Sequence, residues 1–187
     1  LYAGLEYMPT PGVAEGLKLS SREGCEKIVK LAFAFAIAEE RKSVHCATKS
    51  NIMKLTEGLL QRTFEEFAPQ YPSIQSRHIL IDNCAHQLAM RPEQFDIIVT
   101  TNLFGDIISD LCAGLVGGLG LAPGANIGTD AAIFEAVHGT APDIAGQGKA
   151  DPRARFLGEG QVLYPLGQPD TADRHRPTPA PTLEAGA

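Results

Sequence analysis

The chain has no tryptophan, few aromatic side chains and no excess of basic charge, and each absence argues against a class of protein. Aromatics make up only 6% of the 187 residues, too few for a recognition surface rich in Trp and Tyr. Acidic residues outnumber basic ones, 22 to 16, in short mixed clusters, so there is no basic stripe to track a phosphate backbone and nucleic acid is not an expected partner. No apolar run approaches the roughly 20 residues that cross a bilayer, and no signal or transit segment is visible. The four cysteines, Cys25, Cys46, Cys84 and Cys112, never form a CxxC pair. Two are expected in strand-like runs and two in helical patterns, as ordinary buried thiols of a reducing compartment.

What is present is Ala, Gly, Ile and Leu in an order that alternates strand and helix. Ser21 can cap a helix running to about Glu40, with Ile28, Leu31, Ala32, Phe35 and Ala38 recurring at helical spacing and Arg41 and Lys42 suiting its exit. A strand from Val44 to Ala47 delivers the chain to Thr48, Lys49, Ser50 and Asn51, and a second helix is expected from Ile52 to Phe67. His78 to Ile81 reads as the next strand, followed by Asp82, Asn83 and a helical stretch through Met90. Phe95 to Thr100 is near-continuously apolar, as a buried parallel strand would be. The repeat predicts an α/β fold of parallel strands and packed helices, with polar residues just after each strand, where open α/β sheets place ligands. From about Asp151 prolines break every pattern, and residues after about 168 are expected to be disordered.

Three groups of residues can carry chemistry. Asp106 and Asp110 lie four apart at the start of a helix that follows a strand, so both carboxylates share one face. Hard oxygens at that spacing suit Mg²⁺ or Mn²⁺, with Asp82 at a neighbouring strand end as a third donor; the bland alternative is a solvated acidic face. Lys49 leaves a strand directly and can take or relay a proton in a cleft, and Asn51 can hydrogen-bond a substrate or a nicotinamide amide. The alternative makes Lys49 a surface lysine and Asn51 a helix cap. Glycines at 114, 117, 118, 120, 124 and 128 do not form the GxGxxG pattern, but they precede His138, Gly139, Thr140, Ala141, Pro142, Asp143 and Ile144. There a histidine, a hydroxyl and exposed amides can meet ribose or pyrophosphate oxygens, and Asp143 can accept from ribose hydroxyls while repelling a 2'-phosphate. A plain turn built on Gly139 and Pro142 is the alternative. Tyr2, a phenol able to protonate a carbanion beside a metal, means nothing alone. His45, His78 and His86 lack zinc-ligand spacing.

The ordered strings YAGLE, TKSNIMKLTEG, IDNCAHQL, NLFGDIISDL, GLAPGANIG and HGTAPDIAG resemble the β-decarboxylating dehydrogenases, the isocitrate, 3-isopropylmalate and homoisocitrate dehydrogenases, over residues 1–152. The TKSNIMK and HGTAP versions look most like an NAD-dependent isocitrate dehydrogenase. The resemblance implies that Asp106 and Asp110 bind metal in one subunit of a homodimer, while Asp82 and the catalytic Lys49 cross into the other. It further implies that Tyr2 returns a proton after decarboxylation, that Asn51 lies near substrate, and that His138 to Ile144 with Asp151 hold adenosine. Asp143 and Ile144 resemble the NAD-preferring version, where NADP enzymes tend to have Lys and Tyr. The expected substrate is a 2-hydroxy tricarboxylic or dicarboxylic acid, oxidised and decarboxylated with NAD and Mg²⁺ or Mn²⁺ in the cytoplasm or the mitochondrial matrix.

The same resemblance implies that the family's substrate-sensing serine and arginine cluster, which normally precede YAGLE, are missing here, so the fragment itself is expected to turn over weakly or not at all. A 3-isopropylmalate or homoisocitrate enzyme, and a noncatalytic regulatory or structural subunit, are the alternatives. Expected divisions are a mainly small, dimerising and catalytic domain at 1–94, part of a large domain with metal and nucleotide segments at 95–152, and an irregular tail at 153–187.

Overall fold

The computed structural model describes residues 2–149 and positions 154, 157, 158 and 161. The expected contacts of Asp151 and the proline-rich tail lie outside the described residues. The chain divides into two compact units, Leu1–Ser109 and Asp110–Ala187.

The first unit opens with an antiparallel ribbon, β1 (Glu6–Thr10) and β2 (Val13–Gly16), turned by Gly12 at a φ of +82° that a side chain would resist. Helix α1 (Arg22–Ala38) begins as its sequence predicts: the Ser21 side chain accepts from the Gly24 N–H at 3.1 Å. Its inward face is different from the expected one. Val29, Phe33 and Ala36 are fully buried, whereas Ile28, Leu31 and Phe35 are exposed. The helix is apolar on two sides, so periodicity alone cannot choose which stripe meets the sheet.

A three-stranded parallel sheet follows, ordered β4-β3-β5, from β3 (Ser43–Thr48), β4 (Gln75–Leu80) and β5 (Ile97–Thr100). All six residues of the central β3 are buried, while β5, expected to be the buried strand, is half-buried at an edge and starts two residues later than expected. Asp96 ties this end of the sheet together, accepting from the N–H groups of Lys42 at 3.0 Å and Ser43 at 2.9 Å. Helix α2 (Thr56–Phe67) also starts later than expected, because residues 50–55 form turns in which the Lys49 carbonyl accepts from Ile52 and Met53. Helix α3 (Ile81–Met90) takes Ile81 from the expected strand. The core between α1, α2 and the sheet stacks Phe33 on Phe64 and on Tyr71, with centroids 5.5 and 4.4 Å apart. Only Cys46 of the four cysteines lies in a strand; the other three are on helices, a correction to the expected even split.

Helix α4 (Asn102–Leu115) leaves β5 and carries the chain into the second unit. There Gly117 and Gly118, with φ of +114° and +121°, turn the chain back so that the Gly118 N–H reaches the Ala113 carbonyl. An antiparallel ribbon, β6 (Pro123–Ile127) and β7 (Ala132–Ala136), precedes a single 3-10 turn at Pro142–Ile144. Among the described residues no helix is long and apolar enough to cross a membrane.

Candidate active site

The parallel pairing of β3 with β4 decides which side chains meet. Thr48 stands opposite Leu80, so the residues that follow them emerge side by side at the carboxyl end of the sheet. Lys49 Nζ lies 2.9 Å from an Asp82 carboxylate oxygen. That ammonium, followed by the N–H of Asp82 itself at the start of α3, holds the Asp82 carboxyl below the usual carboxylate range. The ion pair is partly open to water, with the lysine 27% and the aspartate 65% exposed. Below it, the fully buried Thr48 hydroxyl shares a 2.8 Å hydrogen bond with His78 Nε2 and accepts from the Ser50 N–H.

The second pair comes from residues far apart in sequence. The Tyr2 hydroxyl donates to an Asp106 carboxylate oxygen at 2.7 Å. That hydrogen bond is the main reason the phenol sits above its ordinary pKa, with a smaller contribution from burial. A cleft of about 440 Å³ borders Tyr2, Lys18, Thr100, Thr101 and Asn102. Asp110 follows Asp106 one turn along α4, and both are exposed. Asn51 is exposed in the turn after Lys49.

Not every expected residue is gathered. Among the described residues, no group of three or more His, Cys, Asp or Glu side chains is placed to hold a metal ion within one chain. The HGTAPDI segment is exposed except for the half-buried Ile144, and His138 Nδ1 lies 2.9 Å from the Gly139 carbonyl. Ala141 takes a left-handed φ of +42°, a conformation that disfavours a residue with a Cβ. A hollow of about 650 Å³ is lined by His138, Gly139, Thr140, Ile144 and Lys149 among others.

Sequence reading missed two residues. Glu57 is fully buried, and the signal for it was its spacing from Leu60 and Phe64, which places it on the inward stripe of α2. Lys149 lines the hollow but lies outside the HGTAPDIAG string that drew attention to the loop.

Residues 1–186 match the isocitrate/isopropylmalate dehydrogenase family, and the chain belongs to it. It is 58% identical over 186 residues to the isocitrate dehydrogenase [NADP] of Thermus thermophilus, covering 100% of this chain and 38% of that protein. It is 48% identical over 186 residues to the isocitrate dehydrogenase [NADP] of Rickettsia prowazekii, again 100% of this chain and 38% of the relative. A crystal structure of isocitrate dehydrogenase from Methylococcus capsulatus superposes with a TM-score of 0.88 at 48% identity, over 93% of this chain and 52% of that one. The chain therefore spans well under half the length of the two named relatives.

These relatives overturn the NAD expectation, since both are named for NADP. The physical weakness lay in the weight given to Asp143. It is exposed and absent from the lining of the hollow, whereas the cationic Lys149 lines it.

Proposed function

We propose that the intact protein carrying this chain catalyses the NADP-dependent oxidative decarboxylation of isocitrate to 2-oxoglutarate and CO₂, working as a homodimer. The observation that carries this reading is the Lys49–Asp82 pair, a proton-handling ammonium and a carboxylate delivered side by side by adjacent parallel strands. Asp106 and Asp110 supply hard oxygen donors one helical turn apart, which fits Mg²⁺ or Mn²⁺; Asp82 of a second copy completes the set that one chain does not assemble. When bound, the divalent ion polarises the substrate's 2-oxygen and the nicotinamide accepts the hydride.

The chain's own residues handle protons and orientation. Lys49 relays the proton of the 2-hydroxyl as the C2 hydride departs, passing one of its own protons to the water that reaches the pair. The β-carboxylate leaves as CO₂ and its bonding pair remains toward C3, where the Tyr2 hydroxyl, kept protonated beside Asp106, returns a proton. Asn51 donates to a substrate oxygen or to the nicotinamide amide. In the HGTAPDI hollow, Thr140 and the exposed backbone amides meet adenosine oxygens, and Lys149 offers a charge-assisted partner for a 2'-phosphate.

The test uses the intact protein, with NADPH formation followed on isocitrate, 3-isopropylmalate and homoisocitrate. Isocitrate-dependent reduction of NADP⁺ that needs Mg²⁺ or Mn²⁺ is expected, and its absence would sink the reading. Coexpression of K49M with D106N separates the dimer claim: a shared site gives mixed dimers with one undamaged cleft and about a quarter of wild-type activity. No recovery would mean that each chain completes its own site.

A further inference from the structure

We infer that Glu57 is a positioning residue that fixes the Lys49 turn against the first turn of α4, and so ties the lysine that serves one cleft of the dimer to the helix that presents Asp106 to the other. The inference rests on the functional reading above and deepens it.

Glu57 is 0% exposed, an unusual place for a carboxylate unless its partners are built in. It has them on both sides. One oxygen accepts from the backbone N–H of Lys49 at 3.1 Å, and the other accepts from the Thr101 hydroxyl at 3.0 Å and from Lys18 Nζ. Lys18 Nζ also lies 5.2 Å from the centroid of the Phe104 ring. Thr101 and Phe104 flank the start of α4, the helix that presents Asp106 to Tyr2. One buried side chain thus joins the residue that pairs with Asp82 to the helix turn before Asp106, and Lys18 neutralises it. A leucine would satisfy the hydrophobic stripe of α2 equally well, so the acid is explained by what it holds.

The geometry assigns distinct effects to two substitutions. E57Q keeps the shape but can accept on one side only, turning an N–H toward a donor on the other. T101V cuts the link to α4 with almost no change in volume and leaves the Lys18 ion pair intact. In the intact protein, E57Q should lower kcat on isocitrate about 10-fold or more while the KM for NADP⁺ stays within about twofold, since misplacement of a reacting group costs rate rather than cofactor binding. T101V should show the same split at about threefold. Amide hydrogen exchange should accelerate together in residues 49–53 and 101–105 in both variants, while β3 and β4 keep their protection.

Wild-type kcat in both variants, or exchange that rises in only one of the two segments, would overturn the inference. So would exchange rising uniformly through the sheet, which marks a merely structural role. If the wild-type protein shows no isocitrate turnover, the functional reading falls by itself and the paired exchange response alone decides the role of Glu57.

Discussion

The two units of the chain reach their candidate sites by opposite means. In the first, Lys49 and Asp82 follow adjacent parallel strands, Asp106 stands on α4, Tyr2 lies in the turn ahead of β1, and each makes a named side-chain contact. In the second, the HGTAPDI segment follows a two-stranded ribbon, is exposed except for the half-buried Ile144, and includes Ala141 at a left-handed φ. Groups that move protons must be held to within tenths of an ångström, whereas a cofactor's adenosine end needs only affinity. Mutations at Lys49, Asp82, Asp106 and Tyr2 should therefore lower turnover, and mutations in the HGTAPDI segment and at Lys149 should weaken cofactor binding.

The largest expected effect comes from K49M in the intact protein. Removing the proton-handling ammonium while keeping the alkyl stem should cut kcat on isocitrate by about 10³-fold, with the KM for NADP⁺ unchanged. Steady-state kinetics with the substrate and the cofactor varied separately would read the split. A K49M enzyme that loses cofactor affinity and keeps its turnover would erase the proposed contrast between the units.

The first unit was also the more legible in sequence, for a physical reason. Strand-then-helix order and the residues after each strand are local signals, so Lys49, Asp82 and Asp106 were visible as candidates and the Ser21 cap was placed correctly. The pairing of Lys49 with Asp82 was not visible, because it depends on β3 lying beside β4 in a register that only the folded sheet sets. The inward face of α1 was misread because Ile28 and Phe35 are as apolar as Val29 and Phe33. Glu57 escaped notice because a charge on a helix ordinarily faces water. In the second unit the HGTAPDI string drew attention to itself, but cofactor choice was tied to Asp143 and Ile144, without Lys149 a few residues further on.

A smaller effect in the second unit sharpens the comparison from the other side. K149A should raise the KM for NADP⁺ about 5- to 10-fold, as expected for one charge-assisted contact to phosphate, with kcat within twofold of wild type. Raising ionic strength should narrow the gap between the two proteins, because the lysine is exposed and its attraction is screened. A fall in kcat at saturating NADP⁺ would place Lys149 on the reacting side and break the distinction.

The smallest effect concerns the end of the sheet opposite the site, where Asp96 holds the entry to β3. The N–H of Lys42 is the largest cause keeping its carboxyl below the usual range, partly offset by burial and reinforced by the N–H and hydroxyl of Ser43. A group whose folded pKa is depressed contributes stability above its unfolded pKa and loses it as pH falls through the folded value. At neutral pH D96N should therefore unfold in urea at a lower midpoint, by about 1 kcal/mol or less given the exposure of the carboxylate. On acidification the wild-type midpoint should approach that of D96N, since protonated Asp96 no longer accepts as a charged partner. The cost should fall on stability alone, with kcat and KM unchanged, because Asp96 sits at the opposite end of β3 from Lys49. A gap that stays constant from neutral to acidic pH would mean that the hydrogen bonds owe nothing to charge and that the strand entry is fixed by packing.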